Sequence, residues 1–271
     1  MRVGVIGGGT IARLLLEHMR ASDLGTIEVV AIAGRSNASR GQALAAQFSV
    51  PFVTDIEGLL ACKPDVVVEA ASHEAVHAYG ARLLSSGVTL IVLSGGALAD
   101  DALRTMLEKT AAQHGTLLYV PSGGIGGLDA LKAACIAGVE EVSIAVTKPA
   151  IAWKGIPYVE RLGIDLDRLT APAVLFDGSA RAGVPHFPAN VNIAAVLSLA
   201  GVGLDRTRLK VVADPALVHN THFIEVRGKT GNISIKLENV PSADNPKTAL
   251  LACYSALAAL KTLQSSARYG T

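Results

Sequence analysis

The sequence predicts an α/β chain, an N-terminal doubly wound parallel sheet followed by a smaller α+β domain on a mixed or antiparallel sheet. Short apolar runs bounded by glycine alternate with amphipathic helical stretches through residues 1–122. A glycine-rich turn joins the first run to the first helix, and beyond residue 140 the pattern changes to apolar–polar alternation. Strands separated by helices form parallel sheets covered on both faces. Alternation marks a strand with one solvated face.

The apolar runs at 3–6, 28–33, 66–69, 89–93 and 117–120 are the parallel strands. The periodic stretches 11–19, 39–48, 75–85 and 101–114 are the helices between them. In 141–147, Val142, Ile144 and Val146 alternate with smaller or polar residues. Two further alternating segments, 222–226 and 232–237, flank Gly228-Lys229-Thr230-Gly231 and read as a β-hairpin. Helices over 128–138 and 189–200 are expected to cover that sheet. A last helix over 246–263, within 245–271, is expected to complete the first domain, leaving 123–244 as a substrate-binding and catalytic domain. A cleft between the two domains is the default ligand site.

Bulk composition narrows the functional classes. Half of the 271 residues are apolar, enough for a substantial core. Twenty-four basic residues balance 23 acidic ones, so no global field attracts nucleic acid or an anionic membrane. Apolar runs are interrupted long before the roughly 20 residues of a membrane span, and the run at the amino terminus breaks at Gly7, too early for a secretory signal. Cys62, Cys135 and Cys253 are widely separated, odd in number and without metal-ligand spacing, so neither a disulfide framework nor a metal site is indicated. A soluble cytoplasmic protein acting on a small molecule is the expectation.

Gly7-Gly8-Gly9-Thr10-Ile11-Ala12 follows a buried strand and opens a helix, the context of a dinucleotide fingerprint. Gly7 makes the tight turn, Gly9 admits the pyrophosphate to the backbone, and Ala12 lets helix and strand pack closely. Thr10 and Ile11 open the helix whose N–H groups face the phosphates. The N-terminal domain is therefore read as a Rossmann domain. Its second strand leads into Ala33-Gly34-Arg35-Ser36-Asn37, with no acidic residue to hold a ribose. Arg35 and Ser36 suit a 2′-phosphate, so the cofactor is NAD or NADP.

Glu69-Ala70-Ala71-Ser72-His73 and Ser94-Gly95-Gly96-Ala97 end the next two strands, where ligands of parallel sheets bind. Ala71 and Ser94 are cofactor candidates, and His73 could reach a ligand there. Oxidising an amine by hydride transfer needs a group titrating near neutrality, and His219 and His222 stand at the mouth of the strand 222–226. The pattern alone does not choose between them. Asn190 reads as a helix N-cap, and Asn192 as a partner for a nicotinamide carboxamide or substrate. Lys148, Lys154, Arg161 and Lys247 are the candidate partners for substrate carboxylates.

Together with Pro121-Ser122-Gly123-Gly124-Ile125-Gly126-Gly127, Thr147-Lys148-Pro149, Asn190-Val191-Asn192, Asn220-Thr221-His222 and Asn245-Pro246-Lys247-Thr248, these motifs make the chain resemble the bacterial L-aspartate dehydrogenases over nearly its whole length. The resemblance implies oxidation of L-aspartate by NAD(P)+ to iminosuccinate, which hydrolyses to oxaloacetate and ammonia and can feed NAD biosynthesis. It also implies a homodimer, a catalytic role for His222, and nicotinamide-side contacts at Gly124 and Asn192. Two departures stand out. Family members commonly carry alanine where this chain has Gly124, and His219 stands where other residues are usual. Two rival readings are a reductase or dehydrogenase of the same two-domain build, such as a dihydrodipicolinate reductase or homoserine dehydrogenase relative, and a non-catalytic NAD(P) sensor.

Overall fold

The computed structural model describes residues 1–271 except 22, 23, 25, 37–39, 189, 243, 244 and 271, with 241, 242 and 245–248 described by backbone alone. The chain divides into two compact units: Met1–Gly123 with Ala252–Tyr269, and Gly124–Leu251 with Gly270–Thr271.

In the first unit the elements run β1 (Arg2–Ile6), α1 (Thr10–Ala21), β2 (Glu28–Ala33), α2 (Arg40–Phe48), β3 (Phe52–Val53), α3 (Ile56–Ala61), β4 (Val66–Glu69), α4 (His73–Ser85), β5 (Thr89–Val92), α5 (Asp101–His114) and β6 (Leu118–Tyr119). Every strand pair is parallel, and the order is β3-β2-β1-β4-β5-β6. That order reverses direction between β1 and β4, the switch point at which such sheets receive ligands.

Both faces of this sheet are covered, which is why its strands are continuous apolar runs rather than alternating ones. On one face Val3, Val5, Ile32, Val66, Val68 and Ile91 pack against Leu15 and Leu16 of α1 and Leu44 of α2. Each fully buried aliphatic side chain contributes about 1.5–3 kcal/mol. Side chains set the helix starts. Asp55 accepts from Gly58 N at 2.7 Å at the head of α3, and Asp100 accepts from Ala102 N and Leu103 N at 2.9 and 3.1 Å at the head of α5. Gly115 ends α5 at φ 64°, a left-handed position that favours glycine.

In the second unit come α6 (Leu128–Ala137), β7 (Val139–Pro149), α7 (Pro157–Arg161), β8 (Ala173–Ser179), α8 (Ala180–Gly183), α9 (Asn192–Ala200), β9 (Thr207–Asp214), β10 (Asn220–Gly228), β11 (Gly231–Asn239), β12 (Pro241–Ser242) and β13 (Asn245–Ala249). The sheet is mixed, in the order β11-β10-β7-β9-β8; only β7 and β9 run parallel. The predicted hairpin is β10–β11, closed by Lys229 and Thr230 with Gly228 opposite Gly231. One face is buried: Val142, Ile144 and Val146 of β7, Leu209, Val211 and Ala213 of β9, and Ile224 and Val226 of β10. α6 and α9 pack on this sheet, with Leu131, Ala134, Ala194 and Ala195 buried. The other face carries the cross-strand ion pairs Arg208–Asp177 and Arg227–Glu141.

The last helix, α10 (Leu250–Gln264), enters the core of the first unit. Cys253, Ala256, Leu257, Ala259 and Leu260 pack with the β1, α1 and α2 residues named above, and Gln264 Nε2 donates to Leu24 O at 2.8 Å. The sequence pattern starts this helix at 246, but residues 245–249 form β13 and helix begins at Leu250. The pattern starts another at 189, but α9 begins at Asn192. No helix among the described residues is long and apolar enough to cross a membrane.

Candidate active site

In the first unit a cavity of about 590 Å³ opens at the carboxyl ends of β1, β2 and β4. Gly7, Gly8 and Gly9 line it, together with Arg35, Ser36, Arg40, Ala71 and Ser72. The glycines are needed for different reasons. Gly7 has φ +119°, and a Cβ there would stand 2.5 Å from Ala70 O, because the turn presses against the end of β4. A Cβ on Gly8 would stand 2.2 Å from Gly41 N, because α2 begins directly against the loop. At Gly9 nothing lies within 4 Å of that position, so the backbone there is open to an approaching group. This is the cradle a pyrophosphate requires.

Of the predicted cofactor residues in this unit, Gly7, Gly9, Arg35, Ser36 and Ala71 line the cavity; Thr10, Ile11, Ala12 and Ser94 do not. Ala12 is fully buried, which suits helix–strand packing. Ser94 is turned inward, its hydroxyl donating to Glu69 Oε1 at 2.9 Å. His73 opens α4 between the cavity-lining residues Ser72 and Glu74 but does not itself line the cavity. Glu74 is held below the usual carboxylate range by the Ser72 hydroxyl and its own backbone N–H, then by the charges of His73 and Arg35. Arg40 is a second guanidinium at this cavity that sequence reading missed. Arg40 opens α2, whose next residue, Gly41, stands directly against Gly8.

In the second unit the buried row of the sheet changes character at one end. Along β7 it runs Val142, Ile144, Val146, Lys148, and along β10 Val226, Ile224, His222, Asn220. His222 pairs with Val146 and Thr221 with Thr147, so Lys148 lies one step beyond the imidazole on the same face. Lys148 is 4% exposed and His222 3%. The Lys148 ammonium is 3.4 Å from Asn190 Oδ1 and 5.4 Å from the centroid of the Trp153 ring. Trp153 is fixed in turn by its indole N–H, which donates to Val212 O at 3.0 Å, and by Phe187 set edge-on at 5.5 Å. The Asn190 backbone N–H donates to Phe187 O at 2.9 Å, and its carboxamide reaches the lysine.

This arrangement corrects one expectation. Asn190 does not cap a helix: α9 begins at Asn192 with Val191 in the cap position and no side-chain cap. Its side chain serves the buried lysine instead.

His222 is held neutral. Burial, and then the Lys148 charge, push its pKa down to about 3, opposed by the Thr221 backbone beside it. Its Nδ1 has no hydrogen-bond partner among the described residues. Its Nε2 lies 3.8 Å from where a Cβ on Gly124 would be. The Gly124 loop is pinned there by Asn239, whose Nδ2 donates to Gly124 O at 2.7 Å. Asn239 went unpredicted, although counting residue pairs back from the two-residue turn places it opposite Asn220 and on the face of His222. His219, the other histidine candidate, is exposed in the loop between β9 and β10. Lys154 is exposed and paired with Asp167, and Arg161 is exposed. The side chain of Lys247 and all of Asn37 lie outside the described residues.

A 3-2-1-4-5-6 parallel sheet with a glycine cradle, accompanied by a second unit holding a neutral imidazole beside a buried cation, defines a nicotinamide-dependent dehydrogenase. Residues 129–263 match the family described as aspartate dehydrogenase, C-terminal, and residues 4–121 match the NAD binding domain of homoserine dehydrogenase. The chain is 41% identical to L-aspartate dehydrogenase of Methanosarcina acetivorans over 275 residues, covering 100% of each chain. It is 40% identical to L-aspartate dehydrogenase 2 of Bordetella pertussis, covering 96% of each. The crystal structure of aspartate dehydrogenase from Thermotoga maritima superposes with a TM-score of 0.76 at 31% identity, covering 100% of this chain and 99% of that one. The chain belongs to the aspartate dehydrogenase family. A dihydrodipicolinate reductase from Paenisporosarcina, 16% identical with a TM-score of 0.54 over 97% of this chain and 94% of its own, shares the fold alone.

Proposed function

We propose that the protein oxidises L-aspartate with NAD(P)+ to iminosuccinate, which hydrolyses to oxaloacetate and ammonia, and that this is an entry to NAD biosynthesis. The observation that carries the reading is the buried Lys148–Asn190 pair one step along the sheet from the neutral imidazole of His222. An amine oxidation on a dicarboxylate needs a cation that stays in place and a base that starts unprotonated.

The glycine turn, Arg35, Ser36, Arg40 and Ala71 hold the dinucleotide in the first unit, which is the dinucleotide-binding domain; the second unit is the substrate and catalytic domain. Bound NAD(P)+ supplies the hydride acceptor. Arg35 and Arg40 favour the 2′-phosphate of NADP, and NAD is accepted because none of the described residues lining the cavity excludes it. Lys148 and Asn190 hold a substrate carboxylate, with Asn192 and the Gly124 backbone orienting the reacting groups. His222 takes the proton from the substrate ammonium, or from the water that hydrolyses the imine. The two carboxylates of the substrate beside Lys148 offset the positive field that adds to burial in holding the imidazole down, so binding raises the basicity of His222. The protein acts in the cytoplasm as a homodimer. The dimer reading draws on the family and on the second sheet's outer face, where Phe223 and Val174 are exposed.

The test is absorbance at the reduced-nicotinamide band with L-aspartate and either NAD+ or NADP+, run beside a panel of other amino acids and a His222→Ala variant. Aspartate-selective turnover that falls about 100- to 10,000-fold in the variant is the expected result. Dinucleotide binding without turnover would make the protein a sensor, and activity on a different amino acid alone would remove the aspartate assignment.

A further inference from the structure

Glu69, the last residue of β4, is 1% exposed and makes no ion pair among the described residues. Its carboxylate instead collects four hydrogen bonds from two separate segments. Oε1 accepts from Ala71 N at 2.7 Å, Ser72 N at 2.9 Å and the Ser94 hydroxyl at 2.9 Å; Oε2 accepts from Ser94 N at 3.0 Å. Burial pushes its pKa up, and the four donors oppose that. Three of those donors are backbone N–H groups that cannot accept, and they occupy both oxygens. Toward all four donors the carboxyl serves as an acceptor.

Burying a carboxyl without a counter-ion is costly, and the rest of β4, Val66–Val68, is aliphatic. What the carboxylate adds is a tie between the segments that follow β4 and β5, the adjacent carboxyl ends where an open parallel sheet binds its ligand. Ala70, Ala71 and Ser72 line the cavity. Ser72 also caps α4, accepting from Ala75 N at 3.4 Å, so the same tie fixes where that helix begins.

We infer that Glu69 is a positioning residue for the dinucleotide: through Ala71, Ser72 and Ser94 it fixes the cavity wall in the shape that receives the cofactor. This rests on the dinucleotide-binding reading of the cavity. It assigns a role to a buried group that the hydride chemistry does not use, and it predicts that affinity for the cofactor depends on a residue that does not touch it.

The experiment titrates NADPH and NADH into full-length wild type and Glu69→Gln by nicotinamide fluorescence. Amide hydrogen exchange and thermal melting are followed on the same samples. In the variant an amide NH₂ replaces an acceptor, so Ala71, Ser72 and Ser94 should lose protection while the interiors of β4 and β5 keep theirs. The dissociation constant should rise about ten-fold or more. Glu69→Asp keeps the charge but is one methylene short of the four donors. It serves if the glutamine variant does not fold and should also bind more weakly. A dissociation constant within about two-fold of wild type in a folded variant whose three amides have lost protection would overturn the inference and leave Glu69 a brace of the fold. Wild type that binds neither dinucleotide would overturn the cofactor reading and this inference with it.

Discussion

Replacing Lys148 with methionine should cost activity far more than stability. The ammonium is 4% exposed, 3.4 Å from Asn190 Oδ1 and 5.4 Å from the Trp153 centroid. A desolvated cation–π contact is worth about 2 kcal/mol and the hydrogen bond is long, whereas burying the ion costs several kcal/mol. Methionine keeps the length and the contact with the indole but not the charge. Stability should therefore change by no more than about 2 kcal/mol, a few degrees in Tm for a chain of this size. Catalysis should lose one charge-assisted hydrogen bond to the substrate carboxylate, about 1.5–3 kcal/mol, so kcat/KM for L-aspartate should fall roughly 10- to 150-fold. The assay varies L-aspartate at saturating cofactor, with a thermal melt and a cofactor titration on the same preparation. Two results would refute the reasoning: kcat/KM within about two-fold of wild type, or a loss of activity accompanied by an equivalent loss of stability.

Acid should destabilise the protein through His222. Its pKa is about 3 in the fold against an ordinary 6.5, so below pH 6.5 the unfolded chain binds a proton that the folded chain refuses. The stability this group contributes is complete above pH 6.5 and is lost as pH falls toward 3, at up to about 1.4 kcal/mol per pH unit. Urea midpoints from about pH 7 to 4 should therefore fall less steeply in His222→Asn than in wild type, and parallel slopes would contradict the assignment. Two glycines should respond oppositely to alanine. At Gly124 the new methyl would meet Ala249 Cβ and Asn239 Nδ2 at 3.5 Å and His222 Nε2 at 3.8 Å, all ordinary contacts, so stability should change by less than about 1 kcal/mol and dinucleotide binding should persist. At Gly7 the methyl would stand 2.5 Å from Ala70 O at φ +119°, and cofactor titration should show binding lost.

How much was legible in the sequence followed from how local the deciding forces were. β1, β2, β4 and β5 were readable because a strand buried on both faces must be a run of valine, isoleucine and alanine. The glycine cradle was readable because only one residue type fits its close approaches. β8 escaped because its register shifts between Val174 and Phe176, which breaks the alternation that would have marked it. β9 went unread even though Leu209, Val211 and Ala213 alternate with Arg208, Lys210 and Val212 as a half-solvated strand does. At the site, the sequence could place Lys148 on the face of Val146, but its burial depends on Trp153 and Asn190, which arrive from other segments. Likewise the sequence placed Glu69 only as the last residue of a strand; that it gathers donors from 25 residues away is a property of two strands lying side by side.

The return of α10 to the first unit has a consequence for biogenesis. Cys253, Ala256, Leu257 and Leu260 fill one face of a core whose other members, from Val3 to Ile91, emerge from the ribosome much earlier. Until the helix is synthesised, Leu15, Leu16 and Val5 have no permanent cover there. Translation at about 5–20 residues per second leaves that surface exposed for on the order of ten seconds. The intervening unit suffers no such delay, since its sheet is encoded within one uninterrupted stretch. The nascent chain is therefore expected to finish its middle before its beginning, and a chaperone that shields apolar surface during synthesis has its natural client in the amino-terminal segment.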